Sequence, residues 1–112
     1  MDKTRKRALA REYKDRKQVF GVYAVRCAVA GKVWVAASRN LDRQQNGTMF
    51  QLRGNGHPNK TMQSLWNAHG ERTFVFEALE EVTDENPLLI DALLKERTAH
   101  WLKVLNAKPV VG

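Results

Sequence analysis

The side chains best placed for chemistry in this 112-residue sequence are a loop histidine and a group of glutamates. His57 lies in the Gly- and Pro-rich stretch 53–58, close to Asn59 and Lys60. An imidazole has an ordinary pKa of about 6.5, so a histidine near a phosphate can act as an acid or a base. An exposed loop histidine without a chemical role fits the same residues, and the sequence leaves both interpretations open.

The glutamates Glu77, Glu80 and Glu81 could form a pair of carboxylates for general acid–base catalysis. They end a segment in which apolar and polar residues alternate. Strict alternation places Glu77 and Glu81 on one face of a strand and Glu80 on the other face, so we expect solvated carboxylates at a strand end. Of the other histidines, His69 is expected to be a structural residue on the apolar face of a helix, and His100 a surface residue.

The single cysteine, Cys27, excludes an internal disulfide and a multi-cysteine zinc site, and it fits a reducing compartment. The sequence contains no Walker loop, dinucleotide-binding fingerprint or Ser-His-Asp pattern. Its apolar runs are far shorter than the roughly 18–20 residues that a bilayer span needs, and no signal-peptide pattern follows the basic amino terminus. We expect a small cytoplasmic domain with no membrane association.

Positive charge is concentrated at the amino terminus. The chain has 19 Lys and Arg against 12 Asp and Glu, a formal net charge of +7. Residues 1–17 alone carry eight basic and three acidic side chains, a local charge of +5. Such a segment suits phosphate backbones, although a solvated helix that aids solubility has the same composition. The cations expected to contact nucleic acid are Arg5, Lys6, Arg7, Arg11, Arg39, Arg43 and Lys60.

Three segments have the composition of strands and must position the candidate residues. Residues 20–27 alternate, so that Tyr23 and Val22 fall on opposite faces. A short turn leads to residues 33–37, which predicts an antiparallel hairpin. The third predicted strand covers residues 72–82.

Four helices are predicted around these strands from cap residues, glycine terminators and apolar spacing. The second of them is expected to be poor because Asn46-Gly47 interrupts it. The predicted helices are a basic one over residues 4–17, one capped by Ser38, one from Asn59 to His69 with Gly70 as terminator, and one opened by Asn86-Pro87 and ending near Leu105.

The order of these elements indicates an α+β domain with a small, mostly antiparallel three-stranded sheet flanked by helices. Residues 1–18 are interpreted as a basic N-terminal helical extension and residues 19–112 as the domain itself. Trp34, Trp66 and Trp101 are expected in the core, because each lies within an apolar pattern.

An ordered set of short motifs runs through the predicted elements from about residue 19 to residue 106. The motifs are Gly21-Val22-Tyr23, Val33-Trp34-Val35-Ala36-Ala37-Ser38, Asn40-Leu41, His57, Asn59, Lys60, Met62-Gln63, Trp66, His69-Gly70, Phe74, Phe76-Glu77, Leu79-Glu80-Glu81 and Trp101–Asn106. In order and spacing this set resembles the GIY-YIG nuclease family, most of all its short stand-alone bacterial members. The resemblance implies the GIY-YIG fold over essentially the whole domain.

The resemblance also implies hydrolysis of one DNA strand at a site that uses tyrosines and a divalent metal, Mg²⁺ or Mn²⁺. In such chemistry an oxygen group activates water, the metal polarises the phosphate, and a cation offsets charge on the phosphoryl oxygens. Tyr23 matches the first tyrosine of the family's strand motifs. His57 matches a loop histidine that some branches of the family contain.

Four positions depart from the family's pattern. The second tyrosine falls on Trp34, whose indole N–H can donate a hydrogen bond but cannot shuttle a proton. The glycine of the same motif falls on Ala36. The arginine falls on Gln44 and the metal-binding glutamate falls on Thr98, so neutral residues occupy both charged positions.

Arg43 and Glu96 lie next to the two replaced positions but are not expected to substitute for them. Glu96 precedes Thr98 by two residues, and that offset turns a helical side chain by about 200°. Arg43 is likewise two residues from the apolar Leu41. Both charged side chains are expected to point to solvent unless the register of either helix shifts.

Two functions fit these residues. The neutral residues at the two charged positions, together with the basic charge that remains, favour the first. The first is a DNA-binding protein on a GIY-YIG endonuclease fold, with catalysis lost or weakened and no cofactor. The alternative is an active endonuclease that uses Mg²⁺ or Mn²⁺ at a modified site built on Tyr23 and His57, with a metal-binding carboxylate that the sequence does not identify. A protein-interaction module recruited from the fold is a third hypothesis.

Overall fold

The computed structural model of the chain describes residues 18–110. They form an α+β domain in which a four-stranded sheet of order β3-β1-β2-β4 is flanked by three helices. The elements are β1 (Gly21–Cys27), β2 (Lys32–Ser38), α1 (Leu41–Arg53), α2 (Lys60–His69), β3 (Phe74–Glu81), α3 (Ile90–Val104) and β4 (Lys108–Pro109). The helix predicted over residues 4–17 lies outside the described residues.

Strands β1 and β2 form the predicted antiparallel hairpin. Tyr23 pairs with Ala36, and Cys27 pairs with Lys32 beside the turn. Gly31 in that turn has a φ of +62°, a left-handed conformation that glycine adopts at little cost. The hairpin therefore places the first tyrosine position beside the second motif.

The sheet separates two layers of core, as the alternation in β1 predicts. Tyr23 and Trp34 pack in the layer covered by α1 and α2. Val22 and Ala24 pack in the layer covered by α3, together with Trp101. The two faces of β1 thus contact different helices.

A fourth strand corrects the prediction of a three-stranded sheet. β4 pairs in parallel with β2, so that Trp34 lies opposite Lys108 and Val35 opposite Pro109. The backbone N–H of Val110 donates to the carbonyl of Val35 at 3.2 Å. Two residues are too few for alternation to reveal a strand, and one of them is a proline.

A bulge between β1 and β3 changes which glutamates share a face. The register shifts between Val22 and Tyr23, so β3 has one extra residue at that point. Val22 pairs with Glu80, and directly paired side chains share a face of the sheet. Glu80 therefore lies on the α3 face, as does Glu77, and the predicted placement of these two on opposite faces is wrong.

Helix α1 runs without interruption through Asn46-Gly47, contrary to the prediction. Its buried residues are Leu41, Thr48 and Leu52, whereas Asn46 and Gly47 are exposed. Glycine in a helix interior costs about 1 kcal/mol relative to alanine. Tertiary packing of the buried side outweighs this cost, because most helical stability in proteins comes from such packing.

Helix α2 begins and ends as predicted. The side chain of Asn59 accepts a hydrogen bond from the backbone N–H of Met62 at 2.9 Å, and Gly70 ends the helix with a φ of +87°. His69, however, is exposed, so its predicted place on the apolar face is wrong. The last turn of a helix adjoins the loop that leaves the core, and position along the apolar stripe no longer ensures burial there.

Helix α3 begins three residues later than predicted. The side chain of Asn86 accepts from the backbone N–H of Leu88 at 3.0 Å, but this cap opens a 3₁₀ turn over Pro87–Leu89. The α-helix then runs from Ile90 to Val104. No helix within residues 18–110 is long and apolar enough to cross a membrane.

Candidate functional site

Tyr23 lies near the centre of β1 with its side chain buried, and 4% of the residue is exposed. Its ring stacks on Phe76 of β3, with ring centroids 5.0 Å apart and ring planes inclined by 15°. Burial raises the pKa of the Tyr23 phenol, and the neighbouring Thr48 hydroxyl opposes part of that rise. The phenol is therefore protonated at neutral pH.

The side chain of Gln44 joins Thr48 to the end of β2. Its Nε2 donates to Thr48 Oγ1 at 3.0 Å, and its Oε1 accepts from Ser38 Oγ at 2.7 Å. Ser38 Oγ also accepts from the backbone N–H of Asn40 at 3.0 Å. Asn40 is the N-cap residue of α1, so the prediction that Ser38 caps this helix is wrong.

Ser38, Gln44 and Thr48 form a chain of hydrogen bonds that ends beside the Tyr23 phenol, and these four residues are here called the tyrosine network. Every member is uncharged at neutral pH, and Ser38 and Thr48 are only 3% and 2% exposed. The structure thus brings the predicted positions Tyr23 and Gln44 into one network. Both ends of the Gln44 amide form hydrogen bonds with other residues of the protein. No residue of the network carries a positive charge.

Sequence reasoning missed Thr48, the residue that connects the two predicted positions. Thr48 lies one turn after Gln44 and falls on the same stripe of α1 as Leu41 and Leu52. Spacings of three and four residues on one stripe indicate a shared helix face. The spacing therefore indicates a buried Thr48, provided that α1 continues through Gly47.

Trp34, predicted at the position of the family's second tyrosine, is a core residue. It is 2% exposed, and its ring lies parallel to that of Phe74, with centroids 6.3 Å apart. Phe74 in turn contacts Trp66 of α2. Trp34 thus stabilises the layer beneath α2, and its indole cannot exchange a proton at neutral pH.

His57 is buried in the loop between α1 and α2, with 8% of the residue exposed. Its Nδ1 accepts from the backbone N–H of Asn59 at 3.0 Å, and its own backbone N–H donates to Gln63 Oε1 at 3.1 Å. Burial lowers the pKa of His57, so the ring is neutral at neutral pH. The interpretation of His57 as an exposed loop residue is wrong.

Gln63 belongs to the Met62-Gln63 motif, and it is a buried residue for which the sequence predicted no role in the site. Its Nε2 donates to the backbone carbonyl of Leu52 at 2.9 Å and to Asn67 Oδ1 at 3.0 Å. With its bond to His57, this amide ties the loop to the end of α1 and to α2. Within the described chain, His57 makes its hydrogen bonds in this group and not in the tyrosine network.

Thr98 lies on α3, which covers the face of the sheet opposite Tyr23. Its Oγ1 donates to the backbone carbonyl of Leu94, one turn earlier, at 2.6 Å. A hydroxyl is neutral, and this one donates its hydrogen to the helix backbone. The structure joins Tyr23 with Gln44 but forms no hydrogen bond between either of them and Thr98 among residues 18–110.

The residues do not fit a divalent metal site. Mg²⁺ and Mn²⁺ bind carboxylate oxygens, but Thr98 occupies the expected glutamate position. The side chains of Arg43 and Glu96 are exposed, as predicted. In the part of the chain that the structure describes, no group of three or more His, Cys, Asp or Glu side chains could hold a metal ion.

Glu80 forms a polar cluster on the α3 face that sequence reasoning missed. Trp101 Nε1 donates to Glu80 Oε1 at 2.8 Å, and Arg97 Nε lies 2.9 and 3.0 Å from the two carboxylate oxygens. The hydrogen bond from Trp101 and the bond and charge of Arg97 lower the pKa of Glu80. The bulge in β3 creates this cluster, and alternation cannot reveal a bulge.

The cations predicted to contact nucleic acid divide into two groups. Arg5, Lys6, Arg7 and Arg11 lie outside the described residues. Arg39 and Arg43 are exposed near the start of α1, and Lys60 is exposed as the first residue of α2. Arg39 forms an ion pair with Asp91, whereas Arg43 and Lys60 have no ion pair among residues 18–110.

Comparison with known proteins identifies the fold. Neither a family model nor a curated protein sequence matches the chain. Two solved structures match it, each with a TM-score of 0.65 and 26% sequence identity. One is a glutamate-to-alanine mutant of the catalytic domain of the intron endonuclease I-TevI, with 79% of this chain and 84% of that chain covered. The other is the catalytic domain of the homing endonuclease I-TevI, with coverages of 78% and 88%.

These matches confirm the resemblance seen in the sequence, because I-TevI is a GIY-YIG homing endonuclease. The mixed four-stranded sheet and its three flanking helices match that catalytic domain. The match extends over most of the chain. This chain has the catalytic-domain fold of the GIY-YIG nuclease family.

Proposed function

We propose that this chain is a DNA-binding protein built on the GIY-YIG endonuclease fold, and that its catalytic activity is lost or much weakened. Similarity to an endonuclease catalytic domain supports DNA as the partner. The neutral residues at the two charged positions of the family support the loss of catalysis.

The observation that carries the proposal is the position of Gln44. An arginine there could offset the charge that develops on phosphoryl oxygens, and loss of an organised donor commonly lowers the rate about 10²–10³-fold. The Gln44 amide is neutral and is bonded to Ser38 and Thr48. It therefore completes the hydrogen bonding of the protein instead of offering a charged donor to a phosphate.

Thr98 supplies a second and independent reason. A carboxylate at this position could hold a divalent metal, which polarises the phosphate and stabilises the leaving group. The Thr98 hydroxyl carries no charge and donates to the Leu94 carbonyl. The arginine and the metal would stabilise the same phosphoryl-transfer step in different ways, so the two losses need not add.

The features that favour DNA affinity remain. The chain carries a net charge of +7, of which +5 belongs to residues 1–17. Lysine and arginine side chains that contact phosphates release counterions and supply most of the affinity of non-specific DNA binding. We assign DNA contacts to the amino-terminal extension, residues 1–18, and to Arg39, Arg43 and Lys60 of the domain, residues 19–112.

Electrophoretic retardation of labelled single-stranded, duplex and branched DNA, in a buffer with a metal chelator, tests the proposed binding. The chelator prevents any metal-dependent cleavage, so the assay reports binding alone. We expect retarded bands in low salt and a logarithmic affinity that falls linearly with the logarithm of the salt concentration. If none of the three DNAs is retarded in low salt, the proposed function is wrong.

A further inference from the structure

Helix α1 presents a large aromatic side chain on its outer face. Phe50 is 78% exposed, although α1 buries Leu41, Thr48 and Leu52 against the core. At 100° per residue, Phe50 lies about 180° from Leu41 and about 160° from Leu52 around the helix. The ring therefore points away from the core that the rest of the helix contacts.

Arg43 lies on the same outer face. It precedes Phe50 by seven residues, which places it about 20° away around the helix and about 10 Å away along the axis. Asn46, one turn before Phe50, is also exposed. The outer face thus presents a cation, an amide and an aromatic ring along about two turns.

The charges around Phe50 favour an anionic partner. Arg43 has no ion pair within the described residues, while Arg53 at the other end of α1 is paired with Glu71 at 2.7 Å. Asp42, the acidic residue of α1, lies about 80° around the helix from Phe50. The face that contains the ring is therefore positive at the Arg43 end.

Among residues 18–110, no other exposed large hydrophobic residue lies on α1 beside Phe50, and this argues against a protein-docking groove. The other large hydrophobic residues exposed in residues 18–110 lie on other elements: Val29, Val75, Leu88, Leu89 and Val104. A stable protein interface needs a contiguous core of apolar contacts, which a single ring does not provide. One exposed ring beside a cation matches the way proteins bind unpaired bases, by stacking on the base and neutralising its phosphate.

We propose that Phe50 is a stacking platform for an unpaired base and that Arg43 contacts a phosphate of the same strand. This inference rests on the proposed DNA binding and adds the class of substrate. Bases in a duplex are already stacked on their neighbours and are not available to Phe50. The chain therefore prefers single-stranded DNA, or the unpaired part of a branched DNA, over a duplex of the same sequence.

Fluorescence anisotropy with one labelled oligonucleotide, alone or annealed to its complement, tests the proposal on the full chain with a metal chelator present. We expect Phe50→Ala to weaken single-strand binding about 5- to 100-fold and duplex binding less than about 2-fold. Phe50→Trp should retain the preference, because the indole also stacks. Leu88→Ala is the matched control, since Leu88 is 86% exposed and lies on another element.

Equal effects of Phe50→Ala on the two DNAs, or no effect on either, would overturn the role of Phe50 while leaving DNA binding in place. Wild-type protein that binds neither DNA would instead overturn the proposed function and this inference with it. Circular dichroism and thermal unfolding of Phe50→Ala should match the wild type, because an exposed side chain adds little to stability.

Discussion

Gln44 and Thr48 lie one turn apart on α1 and are joined by a hydrogen bond of 3.0 Å from the amide Nε2 to the hydroxyl. Through this bond Gln44, the residue that the resemblance places at the family's arginine position, comes close to Tyr23. In our proposal the site has kept its tyrosine while losing its cation. Gln44 can therefore stabilise the fold through its hydrogen bonds without supplying the positive charge that catalysis would need.

Gln44→Ala should lower the free energy of unfolding by about 1–2 kcal/mol, because the buried Ser38 and Thr48 hydroxyls each lose a partner. Gln45→Ala is the matched control, since Gln45 is the exposed neighbour on the same helix. Its effect should stay within about 0.5 kcal/mol. Urea denaturation measures both values, and equal stabilities of the two variants would contradict the tyrosine network.

Glu80→Gln should destabilise the protein by about 1 kcal/mol at neutral pH, because the ionised carboxylate accepts bonds from Trp101 and Arg97. The pKa of Glu80 is lower in the folded state than its usual value of 4.5. The ionised carboxylate therefore makes its full contribution to the free energy of unfolding above the unfolded pKa. This contribution is lost as the pH falls through the folded pKa.

The stability difference between wild type and Glu80→Gln should accordingly shrink as the pH falls below about 4.5. Glu77→Gln is the control, since Glu77 forms an exposed pair with Arg26 at 3.3 Å, and such pairs contribute less than about 1 kcal/mol. A difference for Glu80→Gln that stays constant through this range would exclude the assigned role of its charge.

His57 should titrate below 6.5, because burial disfavours the charged ring and Nδ1 must stay unprotonated to accept from Asn59. NMR titration of the imidazole resonances measures this midpoint, and His57→Gln identifies the resonance by its loss. The pKa of His57 is lower in the folded state than its usual value of 6.5. The neutral ring therefore contributes its full stabilisation above the unfolded pKa, and this contribution is lost as the pH falls below 6.5. A midpoint at or above 6.5 would contradict the buried placement.

Replacement of Arg5, Lys6, Arg7 and Arg11 by glutamine should weaken DNA binding and flatten its dependence on salt. Each lost phosphate contact should lower the slope of log affinity against log salt by about one unit. A variant with the same loss of charge at four exposed positions of the domain is the control. The control replaces Arg72, Lys95, Lys103 and Lys108 with glutamine.

If charge at the amino terminus mediates binding, the first variant should lose more affinity and more slope than the control. Equal losses would mean that only net charge matters. An unchanged slope in the first variant would remove the assigned role of residues 1–17.

The sequence was most informative where a regular period or a cap decides the local structure. Alternation placed Tyr23 and Val22 in different layers of the core, and the Asn59 cap and Gly70 terminator bounded α2. The assignment of Gln44 to the arginine position comes from the resemblance and stays a prediction. These features depend on local chemistry, which a sequence displays directly.

The features that the sequence did not reveal depend on partners far along the chain. β4 forms because residues 108–109 lie beside β2, and its two residues have no period of their own. The Glu80 cluster depends on a bulge and on donors from α3. The burial of His57 depends on Gln63, which comes from the following helix. Tertiary contacts fix these sites, and local propensity does not encode them.

In our proposal this nuclease fold binds DNA without cutting it. The most direct test incubates end-labelled single-stranded, duplex and branched DNA with excess protein and Mg²⁺ or Mn²⁺, with Tyr23→Phe in parallel. We predict intact DNA with both proteins, alongside retarded bands in low salt on a native gel. Metal-dependent cleavage by the wild type that disappears in Tyr23→Phe would contradict the claim and show that the Tyr23 site is an active endonuclease.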